Sequence, residues 1–135
     1  MRKLLKSFKT EIHPTPEQKC KINKTIGTCR YIYNFYLSQN KELYEKGESF
    51  LSGKSFSIWL NQEYLPRHPE KGWIKEVSSK AVKKAMEDGC TAFTRFFNRQ
   101  SGFPKFKKKE KSDVKMYFVK NNPMDCLCER PLIKI

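Results

Sequence analysis

The chain has 135 residues, with 28 Lys and Arg against 14 Asp and Glu and a formal net charge of +14. That length fits one domain or a small piece of a larger protein, and ten Phe and six Tyr argue against plain disorder, because large rings build a core from few positions. No apolar run approaches the roughly 20 residues of a membrane span. The basic N-terminus has no apolar stretch or cleavage site of a signal peptide, and five cysteines without a secretion signal read as reduced thiols in a cytoplasm.

Residues 3–12 alternate in part, with Leu4, Phe8 and Ile12 on one side, and predict a short strand stopped by His13-Pro14-Thr15-Pro16. The same turn opens a helix. Thr15 is the N-cap, Pro16 suits the first helical position and Gln18 completes a capping box. Ile22, Ile26, Cys29, Tyr33 and Tyr36 then recur at helical spacing, and Gly47 is a natural stop, so a helix is expected over about 17–46. Gly27 within it predicts a close approach by another backbone.

Residues 47–56 read as a Gly/Ser-rich loop. A shorter helix is expected from Ser57 as N-cap to Leu65, ended by Pro66 and Pro69, with Trp73-Ile74 as an apolar anchor. Ser78 or Ser79 caps a third helix whose stripe is Val82, Ala85, Met86, Gly89/Cys90, Phe93 and Phe96/Phe97, ending before Gly102. Phe103–Lys111 is a basic segment with interleaved aromatics, and strands are expected at 114–120 and from Leu132. The fold class expected is α+β: three helices inserted between strands that close a small β-module.

Catalytic signals are weak. His13 and His68 sit beside prolines in turns, with no adjacent nucleophile or carboxylate pointing to a triad. The acids are scattered along helix faces, and no Gly-rich phosphate loop is present. Cys126-x-Cys128 offers two of the four ligands of a structural zinc site and has no second pair, so no metal is assigned to this chain. Nucleic-acid binding has more behind it. The net charge, the Lys105–Lys111 segment and a third-helix face of Lys80, Lys83, Lys84 and, further along, Arg95 and Arg99 fit phosphate contact, while Phe and Tyr can stack on unpaired bases. The phenylalanines at 93, 96 and 97 read as core.

Taken in order, several segments resemble the N-terminal region of TnpB/OrfB proteins, encoded by bacterial and archaeal insertion sequences. They are Phe8-Lys9, His13-Pro14-Thr15-Pro16-Glu17-Gln18, Gly27-x-x-Arg30-x-x-Tyr33-Asn34, Trp73-Ile74-Lys75-Glu76-Val77, Ala92-Phe93-x-x-Phe96-Phe97, Gly102-Phe103-Pro104-Lys105-Phe106-Lys107 and Leu132-x-Lys134-Ile135. The resemblance implies an RNA-guided DNA endonuclease whose N-terminal part joins a wedge-type β-barrel to an inserted helical, helix-turn-helix recognition domain. It implies guide RNA and double-stranded target DNA as partners, and cytoplasmic, nucleoid-associated work. It divides the chain into a first wedge strand and turn (1–15), the helical domain (16–101) and a basic linker with return strands (102–135), cut before the rest of the barrel. Mg²⁺ and Zn²⁺ would belong to a downstream nuclease and zinc module, and no residue of this chain matches those ligands.

By position, the resemblance implies that Lys54, Ser57, Ser79, Lys80 and Lys83 face target DNA beside a short adjacent motif. Lys105, Lys107, Lys108, Lys109, Lys120 and Asn121 would contact nucleic-acid backbone, while Arg30 and Asn34 either bind or form structural hydrogen bonds. The alternatives are a stand-alone helix-turn-helix DNA-binding regulator, which requires tight duplex binding without RNA, and an active transposase or nuclease, which requires a carboxylate cluster the chain does not display.

Overall fold

The computed structural model describes residues 3–5, 9, 11–109 and 111. Helix α1 spans Pro16–Glu45. Its start is the expected capping box: the Gln18 amide donates to Thr15 Oγ1 at 3.3 Å, and the Thr15 amide to Gln18 Oε1 at 2.9 Å. Its end is a Schellman turn on Gly47, whose φ of 68° suits glycine; the Gly47 and Glu48 amides donate to the carbonyls of Tyr44 and Leu43.

The buried face of α1 runs through Thr25, Thr28, Cys29, Ile32, Tyr36, Leu37 and Asn40, so it is rotated from the apolar stripe and leaves Ile22, Ile26 and Tyr33 half-buried. Two buried threonines are possible because Thr25 and Thr28 return their hydroxyls to the carbonyls of Lys21 and Lys24, at 2.8 and 2.9 Å. No residue from Pro16 to Lys24 is buried, and the first turns of α1 stand in solvent.

Helix α2 spans Gly53–Trp59 and begins earlier than expected, because Ser52 caps it through the Ser55 amide. Ser57 is therefore an interior residue. The chain continues through a widened π-helical turn at Leu60–Tyr64, with the Leu65 amide reaching back to the Leu60 carbonyl, into the short α3, Leu65–Arg67. The widening has a cause in Pro66, which lacks an amide proton and whose ring crowds the carbonyl four residues back. A 3₁₀ stretch, Pro69–Glu76, carries the buried Ile74, and α4 spans Ser79–Phe97. A second Schellman turn, with Arg99 in the left-handed position at φ 59°, closes α4.

Helix α4 packs on α1 and α2. Ala81, Val82, Ala85, Met86, Gly89 and Phe93 form its buried stripe, and Tyr36, Phe56 and Phe93 meet edge to face at its centre. Two asparagine-centred contacts tie loops to α1. Asn40 accepts from the Leu51 amide at 2.8 Å and donates to the Leu51 carbonyl at 3.1 Å, while the Tyr36 hydroxyl donates to the same carbonyl at 2.7 Å. Asn34 holds residue 107 in the same manner.

Among the described residues the close approach expected at Gly27 is absent: a Cβ there would meet the Arg30 guanidinium alone, at 4.0 Å. A side chain rather than a backbone comes close at Gly89, where a Cβ would lie 2.5 Å from Tyr36 Cδ1. Both glycines are helical, so Ala gains about 1 kcal/mol of helix propensity at either. Gly27→Ala should therefore stabilise the chain by up to that amount. At Gly89 overpacking costs about 1–3 kcal/mol or more, against a fully buried ring whose hydroxyl is anchored, so Gly89→Ala should destabilise. Urea unfolding of the two variants checks the opposite signs, and equal shifts would contradict the packing.

The α+β class is corrected by this architecture. The described residues form helices and turns with no strand, and no sheet or wedge-type barrel is present among them. Within the expected first strand, residues 3–5, 9, 11 and 12 have no regular structure, and Leu4 and Leu5 are 82% and 98% exposed. Alternation alone does not make a strand, and no neighbouring strand stands among the described residues to complete a ladder with the backbone groups. The strands expected at 114–120 and from Leu132 lie outside the described residues.

Candidate nucleic-acid interface

Helix α4 has two flanks beside its core stripe. Lys83, Glu87, Cys90 and Thr94, spaced at i, i+4, i+7 and i+11, look toward α2. Gly53 is buried, and a Cβ there would come within 3.4 Å of the Met86 carbonyl oxygen, so the start of α2 lies almost on the α4 backbone. An open groove of about 950 Å³ results, with Lys54, Ser57 and Ile58 from α2 facing Lys83, Glu87, Thr91 and Arg95 from α4. Lys54, Lys83 and Arg95 are exposed at its rim, with Glu87 the acidic side chain among its lining residues. A smaller pocket of about 280 Å³ is lined by Ser57, Asn61, Lys75, Ser79 and Lys83 and shares Ser57, Lys83 and Met86 with the groove.

The structure thus brings Lys54, Ser57, Ser79 and Lys83 together on adjoining surfaces. Ser57 reaches this place from inside α2, and Ser79 is the first residue of α4, after Ser78 at the cap position. Lys80 is half-buried and does not line either pocket. Arg95 joins the groove from the far end of α4. Its separation from Lys83 is 120° around the helix, so only the length of its side chain brings it there.

On the other flank of α4, Cys29 of α1 donates its thiol to the Ala81 carbonyl at 3.5 Å. Beside it the segment 103–109 lies against α1. Asn34 Nδ2 donates to the Lys107 carbonyl at 2.9 Å, and the Lys107 amide donates to Asn34 Oδ1 at 2.8 Å. The Lys107 ammonium sits 4.3 Å from the centre of the Tyr33 ring, a cation–π contact. Phe103 packs against Phe93, Phe96 and Tyr44. Lys105, Lys108 and Lys109 are exposed along this segment. Arg30 lies half-buried over Gly27, one helical turn before Asn34. Lys120 and Asn121 lie outside the described residues.

Burial pushes the Cys29 thiol above its usual range, with Lys107 pulling it down and Asp88 pushing it up. Burial likewise raises the Tyr33 and Tyr36 phenols. These groups stay neutral near pH 7, and Cys29 has none of the thiolate character a nucleophile needs. Among the described residues no three His, Cys, Asp or Glu side chains gather where they could hold a metal ion, and no helix is long and apolar enough to cross a membrane.

Cationic surfaces on a helical scaffold mark the class of nucleic-acid-binding regions. A helix-turn-helix domain of the OrfB type matches residues 1–49, which contain α1 and the segment before it. InsQ of Escherichia coli K12, named as a candidate RNA-guided DNA endonuclease, is 28% identical over 115 residues, covering 85% of this chain and 28% of its own length. A protein of Streptomyces pristinaespiralis with the same descriptive name is also 28% identical, covering 83% of this chain and 27% of its own length. The virulence protein VsdF of Salmonella dublin is 32% identical over 113 residues, covering 78% of this chain and 95% of VsdF. The chain belongs to the TnpB/OrfB family and corresponds to its N-terminal, transposon-associated nucleic-acid-binding region. It spans little more than a quarter of the length of the two endonuclease relatives.

Proposed function

We propose that this region binds guide RNA and double-stranded target DNA beside a short adjacent motif, as the recognition part of an RNA-guided DNA endonuclease, and carries no catalytic centre of its own. Lys54, Lys83 and Arg95 around the α2–α4 groove are the observation that supports this reading most, because they concentrate positive charge where Ser57 and other small polar side chains can also donate. Lys105, Lys108 and Lys109 on the pinned segment supply a second phosphate-binding surface. Mg²⁺ and Zn²⁺ chemistry belongs, in this reading, to the parts of the longer relatives beyond the matched region. The work is cytoplasmic, at the nucleoid.

The test compares structured RNA with duplex DNA at matched salt, using wild type and the variant Lys54→Gln/Lys83→Gln/Arg95→Gln. The expected result is salt-dependent binding of both polymers, weakened in the variant. Tight binding of a palindromic duplex, with no affinity for structured RNA, would contradict the reading and favour a stand-alone regulator.

A further inference from the structure

The segment 103–109 is fastened at two points. Phe103 is packed among the rings of Phe93, Phe96 and Tyr44, and the backbone at Lys107 is gripped from both sides by the Asn34 amide. Between these anchors lies Phe106, 47% exposed and without a ring contact among the described residues, whereas the exposed Tyr44, Phe50 and Phe97 each pack against other rings. Lys105 precedes it, and Lys108 and Lys109 follow, all exposed. A run of like charges on a free linker repels itself and stays extended and mobile, so fastening such a run needs a compensating gain.

The geometry points to a binding site for an unpaired stretch of nucleic acid, in which one base stacks on Phe106 and the flanking phosphates meet Lys105, Lys108 and Lys109. This inference rests on the function proposed above and narrows it. An aromatic ring beside cations is the pairing that single strands recognise, because every unpaired base offers a flat face and every linkage a charge. Bases inside a duplex have their faces covered, so the ring discriminates where lysines alone do not. Asn34 is a positioning residue here. It carries no charge and stands at the back of the segment, and by fixing Lys107 it sets the presentation of Phe106 before any ligand arrives.

The experiment uses the full 135-residue chain and fluorescence anisotropy with oligouridylate, oligodeoxythymidylate, a structured RNA and a long mixed-sequence duplex, each over a salt series. Phe106→Ala should weaken single-strand binding about tenfold, with the duplex affinity and the salt slope unchanged. Phe106→Trp should restore it. Asn34→Ala should weaken the same single-strand binding without altering the slope, while far-UV circular dichroism confirms that it is folded. A loss confined to one oligonucleotide supports the site and identifies its ligand as RNA or DNA. Phe106→Ala that binds single strands as wild type does, or that loses single strands and duplex equally, overturns the inference. Wild-type protein that binds structured RNA and duplex but no single strand overturns this inference alone, whereas wild type that binds none of them overturns the proposed function with it.

Discussion

Phe93→Ala should lower the unfolding free energy by about 3–5 kcal/mol, the range for truncating a large buried aromatic. Phe93 is fully buried, and its ring lies 5.6–6.3 Å from those of Tyr36, Phe50, Phe97 and Phe103. It therefore joins α1, the loop before α2, α4 itself and the basic segment. The neighbours cannot collapse into the space. Tyr36 is held through its hydroxyl and by Gly89 beneath its ring, and Phe103 is tied into a segment fixed at Lys107. Since domains of this size are stable by only about 5–15 kcal/mol, the variant should unfold at markedly lower urea. A change below about 1 kcal/mol would mean that the aromatic cluster is not the centre of the fold.

The second large effect is on binding. In Lys54→Gln/Lys83→Gln/Arg95→Gln, removing each phosphate-neutralising cation should flatten the plot of log affinity against log salt by about 0.9 on duplex and about 0.7 on single strands. At 0.1 M salt, removing all three cations corresponds to roughly two to three orders of magnitude in affinity. All three side chains are exposed, so stability should change little. A control variant with the same net charge, Lys19→Gln/Lys21→Gln/Lys41→Gln, removes exposed cations of α1 away from the groove. If both variants bind equally weakly, the overall field of a +14 chain governs binding and the groove has no special part.

What can be read from the sequence is mostly local. Helix α1 is announced by Thr15-Pro16-Glu17-Gln18 and closed at Gly47, signals contained within a few residues, and its ends fall within a residue of expectation. The start of α2 is hidden because Ser52-Gly53 resembles loop chemistry. Glycine is tolerated there because α4 leaves almost no room for a side chain. The buried face of α1 differs from its apolar stripe because Thr25, Thr28 and Asn40 are polar and are satisfied only by hydrogen bonds that an apolar pattern does not encode.

The strand expected at 3–12 rests on alternation, which records a preference for one wet face but not the presence of a partner. At the candidate site, the basic residues are visible in the sequence as charge, but their grouping is not. Asn34 and Lys107 are 73 positions apart, and nothing in either neighbourhood names the other. Arg95 is visible in the sequence as part of a basic helix face, but it reaches the groove through the length of its side chain, and the packing of α2 on α4 is what reveals that place.

The most direct measurement is lysine-reactivity footprinting: acylate the full chain alone and bound to structured RNA or duplex DNA, then quantify each lysine by mass spectrometry. Protection is expected at Lys54, Lys83, Lys105 and Lys109, with Lys19 and Lys41 reacting as in the free protein. Equal protection of every lysine, or protection confined to Lys19 and Lys41, would contradict the assignment of these surfaces to nucleic acid.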